Sequence, residues 1–104
     1  MSTLKTAWTR SSKQQFDQLR QRAAEAKRLG EFIDAHNEIA AILRDVDRAV
    51  EKGEPLYNTQ KPGGVVRHFL HDFVSVTYAI FAAQGVGWII AYLPVPSSWP
   101  EPKP

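Results

Sequence analysis

The chain has no cysteine, which excludes disulfides and thiolate metal sites and leaves no sign of an oxidising compartment. It also lacks formal charge over a long stretch, since the first charged residue after Asp72 is Glu101. No apolar segment of the secretory kind stands near the N-terminus, so no signal peptide is expected. There is no internal repeat. Gly63 and Gly64 lack the spacing and the following helix of a phosphate-binding loop. The net charge is only +2, too small for the whole surface to act as a polyanion attractor.

What the chain does hold is ordinary for a globular protein. Its 104 residues are 43% hydrophobic and 23% charged, enough for one core. One domain is expected over residues 1–95, followed by a proline-rich tail at 96–104. The charge is unevenly placed. Residues 1–30 carry seven Lys or Arg against Asp17 and Glu25, whereas residues 31–53 carry three basic and six acidic residues. Solvated helix faces explain both blocks; a basic surface for nucleic acid or for an acidic partner is the alternative.

Leu4–Trp8 reads as a first strand, with Thr9, Ser11 or Ser12 as the cap of a helix behind it. Phe16, Leu19, Ala23 and Ala26 then fall on one helix face, and Gly30 is expected to close that helix. In the second helix Phe32, Ile39 and Val46 form one apolar row, and His36, Leu43 and Val50 form its neighbour. Asp45, Asp47 and Glu51 mark the wet side, and the helix is expected to end at Lys52-Gly53 before Pro55. Pro55–Gly64 has the composition of a connecting loop. Val65–Leu70, Phe73–Phe81 and Val86–Leu93 read as strands, with turns at His71-Asp72 and Ala82–Gly85. Val74, Val76, Tyr78 and Ile80 share one face of the middle strand, and Val86, Trp88, Ile90 and Tyr92 share one face of the last.

The uncharged run is long enough for one membrane helix, which needs about 20 apolar residues. Gln84, Gly85 and Gly87 at its centre argue for a buried β-hairpin instead, as do the many β-branched residues and the missing basic flank after Leu93. Two one-sided helices also need a sheet to cover.

The resulting order is an N-terminal strand, an αα-hairpin and a three-stranded antiparallel meander. With Ala7-Trp8-Thr9 at the first strand, Val66-Arg67 on the second and Val76-Thr77-Tyr78-Ala79-Ile80 on the third, the chain resembles the RelE/ParE superfamily of type II toxin–antitoxin toxins. The resemblance covers residues 3–95 and rests on pattern and order. It implies an α+β, RelE/ParE-like fold and a small cytoplasmic toxin neutralised by an antitoxin protein. It leaves room for a homo-oligomer and calls for no membrane segment and no cofactor. RelE-like members cut mRNA in the ribosomal decoding site, and ParE-like members inhibit DNA gyrase.

Carried onto this sequence, the nucleolytic branch assigns Arg67 to phosphate binding and charge stabilisation, with His68 beside it. His68 or His71 supplies a general base near neutral pH. Lys61 in the glycine loop, and Arg20 and Arg28 on the basic first helix, are the candidate nucleic-acid contacts. The sequence departs from the nucleolytic pattern at Ser75 and Pro94, where those relatives place charge. It also offers only Tyr92 and Trp99 where they carry a C-terminal Tyr or His. His68 and His71, three apart, fall on opposite strand faces, so they make no shared metal site. His36 lies on an apolar seam and is expected to be a satisfied core or boundary histidine. The expected function is therefore a toxin-like component acting as an mRNA endoribonuclease through Arg67, His68 and His71. The alternatives are a non-enzymatic binding protein, either gyrase-directed or a degenerate relative, and a small membrane protein.

Overall fold

The computed structural model describes residues 3–58, 64–71 and 74–95. Lys61, the Asp72 end of the expected turn, and the tail at 96–104 with Trp99 lie outside the described residues. The chain order is β1 (Lys5–Trp8), α1 (Arg10–Glu25), α2 (Leu29–Arg44), α3 (Val46–Lys52), β2 (Glu54–Asn58), β3 (Val65–His71), β4 (Val74–Phe81), a 3₁₀ turn (Ala82–Gln84) and β5 (Val86–Pro94). The strands form one sheet in the order β1-β5-β4-β3-β2, with β1 parallel to β5 and every other pair antiparallel. The described residues make an α+β arrangement of three helices and a mixed five-stranded sheet, one helix and one strand more than the sequence predicts.

The extra helix arises at Asp45. Its backbone is extended (φ −106°, ψ 116°), which ends α2. Its carboxylate accepts from the amides of Asp47 and Arg48 at 3.0 and 3.2 Å and so caps α3, a contribution of about 1 kcal/mol. The entering chain takes up groups released by the break: Thr3 bridges to Asp45, and the Leu4 amide donates to the Arg44 carbonyl at 2.7 Å. The change of direction leaves Val50 exposed, although Val46 still packs on the core. The expected single seam through Val50 is therefore interrupted.

The extra strand is β2, which occupies residues expected in the loop. Pro55 is tolerated because β2 is an edge strand, where one side needs no backbone donor. The end of α1 also differs from expectation. The Arg28 amide bonds the Ala23 carbonyl at 2.8 Å and the Lys27 amide bonds the Ala24 carbonyl at 3.1 Å. This is the double closure of a Schellman motif. Lys27 takes the left-handed position (φ 60°) usually given to glycine, while Gly30 sits in the first turn of α2.

The uncharged run becomes β4, the 3₁₀ turn and β5, and Gly85 at φ 67° makes the reversal. Among the described residues no helix is long and apolar enough to cross a membrane. Val74, Val76, Tyr78 and Ile80 all face the core, as their alternation predicts. In β5 the alternation fails. Tyr78 pairs with Ile89 and Thr77 with Ala91, so Ile90 is an extra residue in a β-bulge. The bulge puts Ile89 and Tyr92 on the core face and Trp88 on the opposite one. The expected common face of Val86, Trp88, Ile90 and Tyr92 is thus split.

All three helices cover the same side of the sheet. Phe16, Leu19 and Ala23 of α1 and Phe32, Ala35, Ile39 and Leu43 of α2 join Ala49 of α3 and the inward strand residues in one cluster. The start of α1 is stitched to the bulge just where β1 stops. Ser12 Oγ donates to the Ile89 carbonyl at 2.7 Å, the Thr9 amide to the same carbonyl at 3.2 Å, and the Tyr92 amide to Gln15 Oε1 at 2.8 Å. Thr9 is the cap of α1 and accepts from the Ser12 amide at 3.1 Å. Among the described residues no helix covers the other side of the sheet, where Leu70, Trp88 and Leu93 are exposed.

Candidate functional site

Pairing in β3 decides where the candidate catalytic residues stand. Arg67 pairs with Tyr78 and His71 with Val74, so both lie on the helix side of the sheet. His68 pairs with Thr77 and lies on the uncovered side. The opposite orientation of His68 and His71 follows the three-residue spacing, and the three candidates do not converge on one point.

Each is also engaged. Arg67 Nη1 donates to the carbonyls of Val50 and Gly53, both at 3.2 Å, and thereby holds the C-terminal end of α3. Beside it the Tyr78 hydroxyl donates a short hydrogen bond to the Ala49 carbonyl. Burial pushes the Tyr78 phenol up to about 12, against the Arg67 charge, which pulls it down. His71 Nε2 meets Glu38 Oε2 at 2.5 Å, tying β3 to α2. On the other side His68 Nε2 lies 2.7 Å from Ser75 Oγ. Glu54 is in register with His68 across the β2–β3 pair, but no hydrogen bond joins them. A histidine, a hydroxyl and an acid are therefore near one another without the relay that would orient the imidazole and activate Ser75.

The basic candidates are dispersed. Arg20 is exposed on α1, and Arg28 Nε pairs with Glu31 at 2.9 Å. Lys61 lies outside the described residues. Among the described residues no three His, Asp or Glu side chains gather as a metal site.

A different region brings polar and aromatic side chains together. His36 of α2 sits among Trp8, Phe16 and Tyr92, with ring centroids 6.0, 4.7 and 5.9 Å away. Its Nδ1 shares a hydrogen bond with the Tyr92 hydroxyl across 3.1 Å. Burial lowers its pKa, and the nearby Lys13 charge lowers it further. Burial raises the Tyr92 phenol in turn. Both groups are therefore neutral near pH 7, as expected of a satisfied boundary histidine.

This aromatic nest closes one end of an open groove of about 580 Å³ between β1 and α2. Thr6, Trp8 and Lys5 line its strand side, and His36, Ala40 and Arg44 line its helix side. The signal in the sequence is the spacing of four from His36 to Ala40 to Arg44, which places a small residue between an imidazole and a guanidinium on one helix face. Reading those positions only as seam or solvent misses the groove, because β1 approaches that face through long-range contacts.

No protein-family model, no curated protein and no solved structure matches this chain.

Proposed function

We propose that this protein is a toxin-like, RelE/ParE-related partner of an antitoxin protein, and that it acts in the cytoplasm by binding its target rather than by cutting RNA. The order of elements and the residues Ala7-Trp8-Thr9, Val66-Arg67 and Val76–Ile80 support the kinship. The observation that carries the choice of binding over cleavage is that neither histidine joins Arg67: His68 is on the opposite face of the sheet, and His71, four residues along the strand on the same face, is tied to Glu38. An endoribonuclease needs a base at the ribose hydroxyl and a cation at the same phosphate. Here the cation is spent on the carbonyls of Val50 and Gly53. DNA gyrase is the target class for a non-nucleolytic member, with the ribosome and its mRNA as the class for the alternative.

The nuclease reading keeps one supporting observation, the His68–Ser75 pair on the uncovered side. Induced expression in bacteria decides between them. Growth should slow while 5′ ends mapped across translated messages stay unchanged, and His68→Ala should arrest growth as the parent does. New cleavage sites that disappear in His68→Ala would overturn the binding reading. Unimpaired growth would move it to a degenerate relative that keeps only its partner.

A further inference from the structure

We propose that the groove between β1 and α2 docks an extended, acidic segment of a partner protein, which adds to the sheet as a strand beside β1.

The backbone of β1 supplies the template. β1 is the outermost strand. The amides of Lys5 and Thr9 donate inward to the Gly85 and Ile89 carbonyls at 2.8 and 3.2 Å. Because backbone groups alternate sides along a strand, those of Leu4, Thr6 and Trp8 face the open edge. The Leu4 amide is already taken by the Arg44 carbonyl at 2.7 Å. Among the described residues nothing bonds the amides and carbonyls of Thr6 and Trp8 on that edge. An edge of this kind is completed by an added strand, with main-chain bonds supplying affinity and side-chain pockets supplying selectivity.

The dimensions agree. From Leu4 to Trp8, the first and last strand-side residues that line the groove, four steps of ~3.3 Å span about 13 Å. The helix stripe from His36 to Arg44 spans about 12 Å at 1.5 Å per residue. Walls of equal length enclose space for roughly four extended residues, and Ala40 in the middle leaves depth that a larger side chain would fill. The Thr3–Asp45 bridge closes one end and the Trp8–His36 contact closes the other.

Charge selects the occupant. Among the described residues that line the groove the charged ones are Arg44 on the helix wall and Lys5 on the strand. Lys5, in register with Val86, sends its side chain to the face opposite Thr6 and Trp8, so Arg44 is the cation on the α2 side. An acidic segment is complementary to that cation. A single-stranded nucleic acid fits less well. Its bases need an aromatic face, and the Trp8 ring is already packed by Phe16, His36, Tyr92 and Lys13.

The inference stands apart from toxicity, because a chain that does not arrest growth still carries the groove. The test uses the full chain, labelled with ¹⁵N, and a capped hexapeptide of alternating Glu and Val. The expected result is saturable binding that shifts the Thr6 and Trp8 amides and slows their hydrogen exchange at least tenfold. The Lys–Val counterpart, and a Glu–Val peptide methylated at alternate backbone nitrogens, should each bind at least tenfold more weakly. Arg44→Glu, at an exposed helix position, should weaken Glu–Val binding and reverse the preference between the two peptides. Equal affinity for both charge types would overturn the proposal, as would amide shifts confined to the uncovered sheet face. Equal displacement by a single-stranded oligonucleotide would transfer the groove to nucleic acid. Sedimentation as a dimer with Thr6 and Trp8 protected before any peptide is added would show that a second copy fills it.

Discussion

At Gly53 the absence of a side chain is a packing requirement. A Cβ built there would overlap the Tyr78 hydroxyl oxygen and lie 3.0 Å from the Arg67 Cβ. The same phenol is tied to the Ala49 carbonyl and the same arginine to the Gly53 carbonyl, so neither neighbour can give way without losing a bond. Gly53→Ala should therefore destabilise the protein by roughly 3 kcal/mol, from overpacking together with a strained buried hydrogen bond. Gly30→Ala is the control: nothing lies within 4 Å of its Cβ position, and the change should stabilise by about 0.5 kcal/mol. Urea midpoints of the two variants check both signs, and a loss below about 1 kcal/mol for Gly53→Ala would contradict the packing account. Arg67 belongs to the same lock. Removing its two bonds to carbonyls in Arg67→Met should cost about 2 kcal/mol, whereas His68→Ala on the uncovered side should stay within about 1 kcal/mol of the parent. A loss of toxicity in an Arg67 variant would then report weakened folding before it reported lost chemistry, which is why His68 is the informative position for cleavage.

Among the elements, α1 ends in an unusual way for its sequence. Its closing hydrogen bonds are those of a Schellman motif, yet the left-handed residue is Lys27. A β-carbon in that conformation costs about 1 kcal/mol relative to glycine, so Lys27→Gly should raise the unfolding midpoint by a corresponding amount. Unchanged or lowered stability would show that the lysine side chain compensates the strain. The same element shows where sequence reading stops. Apolar spacing places α1, the inward face of β4 and the hairpin through Gly85, because each follows from a local period or a turn residue. The end of α1 is hidden because lysine stands where glycine gives the signal, and Gly30 three residues on supplies a misleading one. The break at Asp45 is hidden because Asp45 looks like a wet helix position until Thr3 and Leu4 arrive to satisfy the groups it frees. The bulge at Ile90 has no mark among consecutive apolar residues, and it alone decides that Trp88 faces outward. For the candidate site, the opposed faces of His68 and His71 are legible in their spacing. The use of Arg67 as a brace on α3 and the groove beside β1 are not, since both depend on which distant segments meet.

For the whole molecule, a one-sided arrangement gathers the titratable burial into the single layer between helices and sheet. His36, Tyr92 and Tyr78 all lie in that layer, and their shifts bound the pH range of stability from both ends. His36 has a folded pKa below its ordinary value of 6.5, from burial first and the Lys13 charge second. The unfolded chain therefore takes up that proton more readily. Stability from this group is complete above pH 6.5 and is lost as pH falls below it toward the depressed folded value. Tyr78 and Tyr92 are raised from 10.0, Tyr78 to about 12, by burial. Here the unfolded chain loses its protons first, so stability is complete below pH 10 and falls as pH rises beyond it. Urea unfolding across the pH scale should thus show a plateau between about pH 7 and 10 with both shoulders sloping down. The upper part of the acid shoulder, just below pH 6.5, is where the His36 contribution is read. His36→Gln keeps a polar partner for the Tyr92 hydroxyl without a titrating ring, and it should flatten that part of the shoulder while leaving the alkaline one intact. An acid shoulder of undiminished slope in His36→Gln would remove His36 as its source.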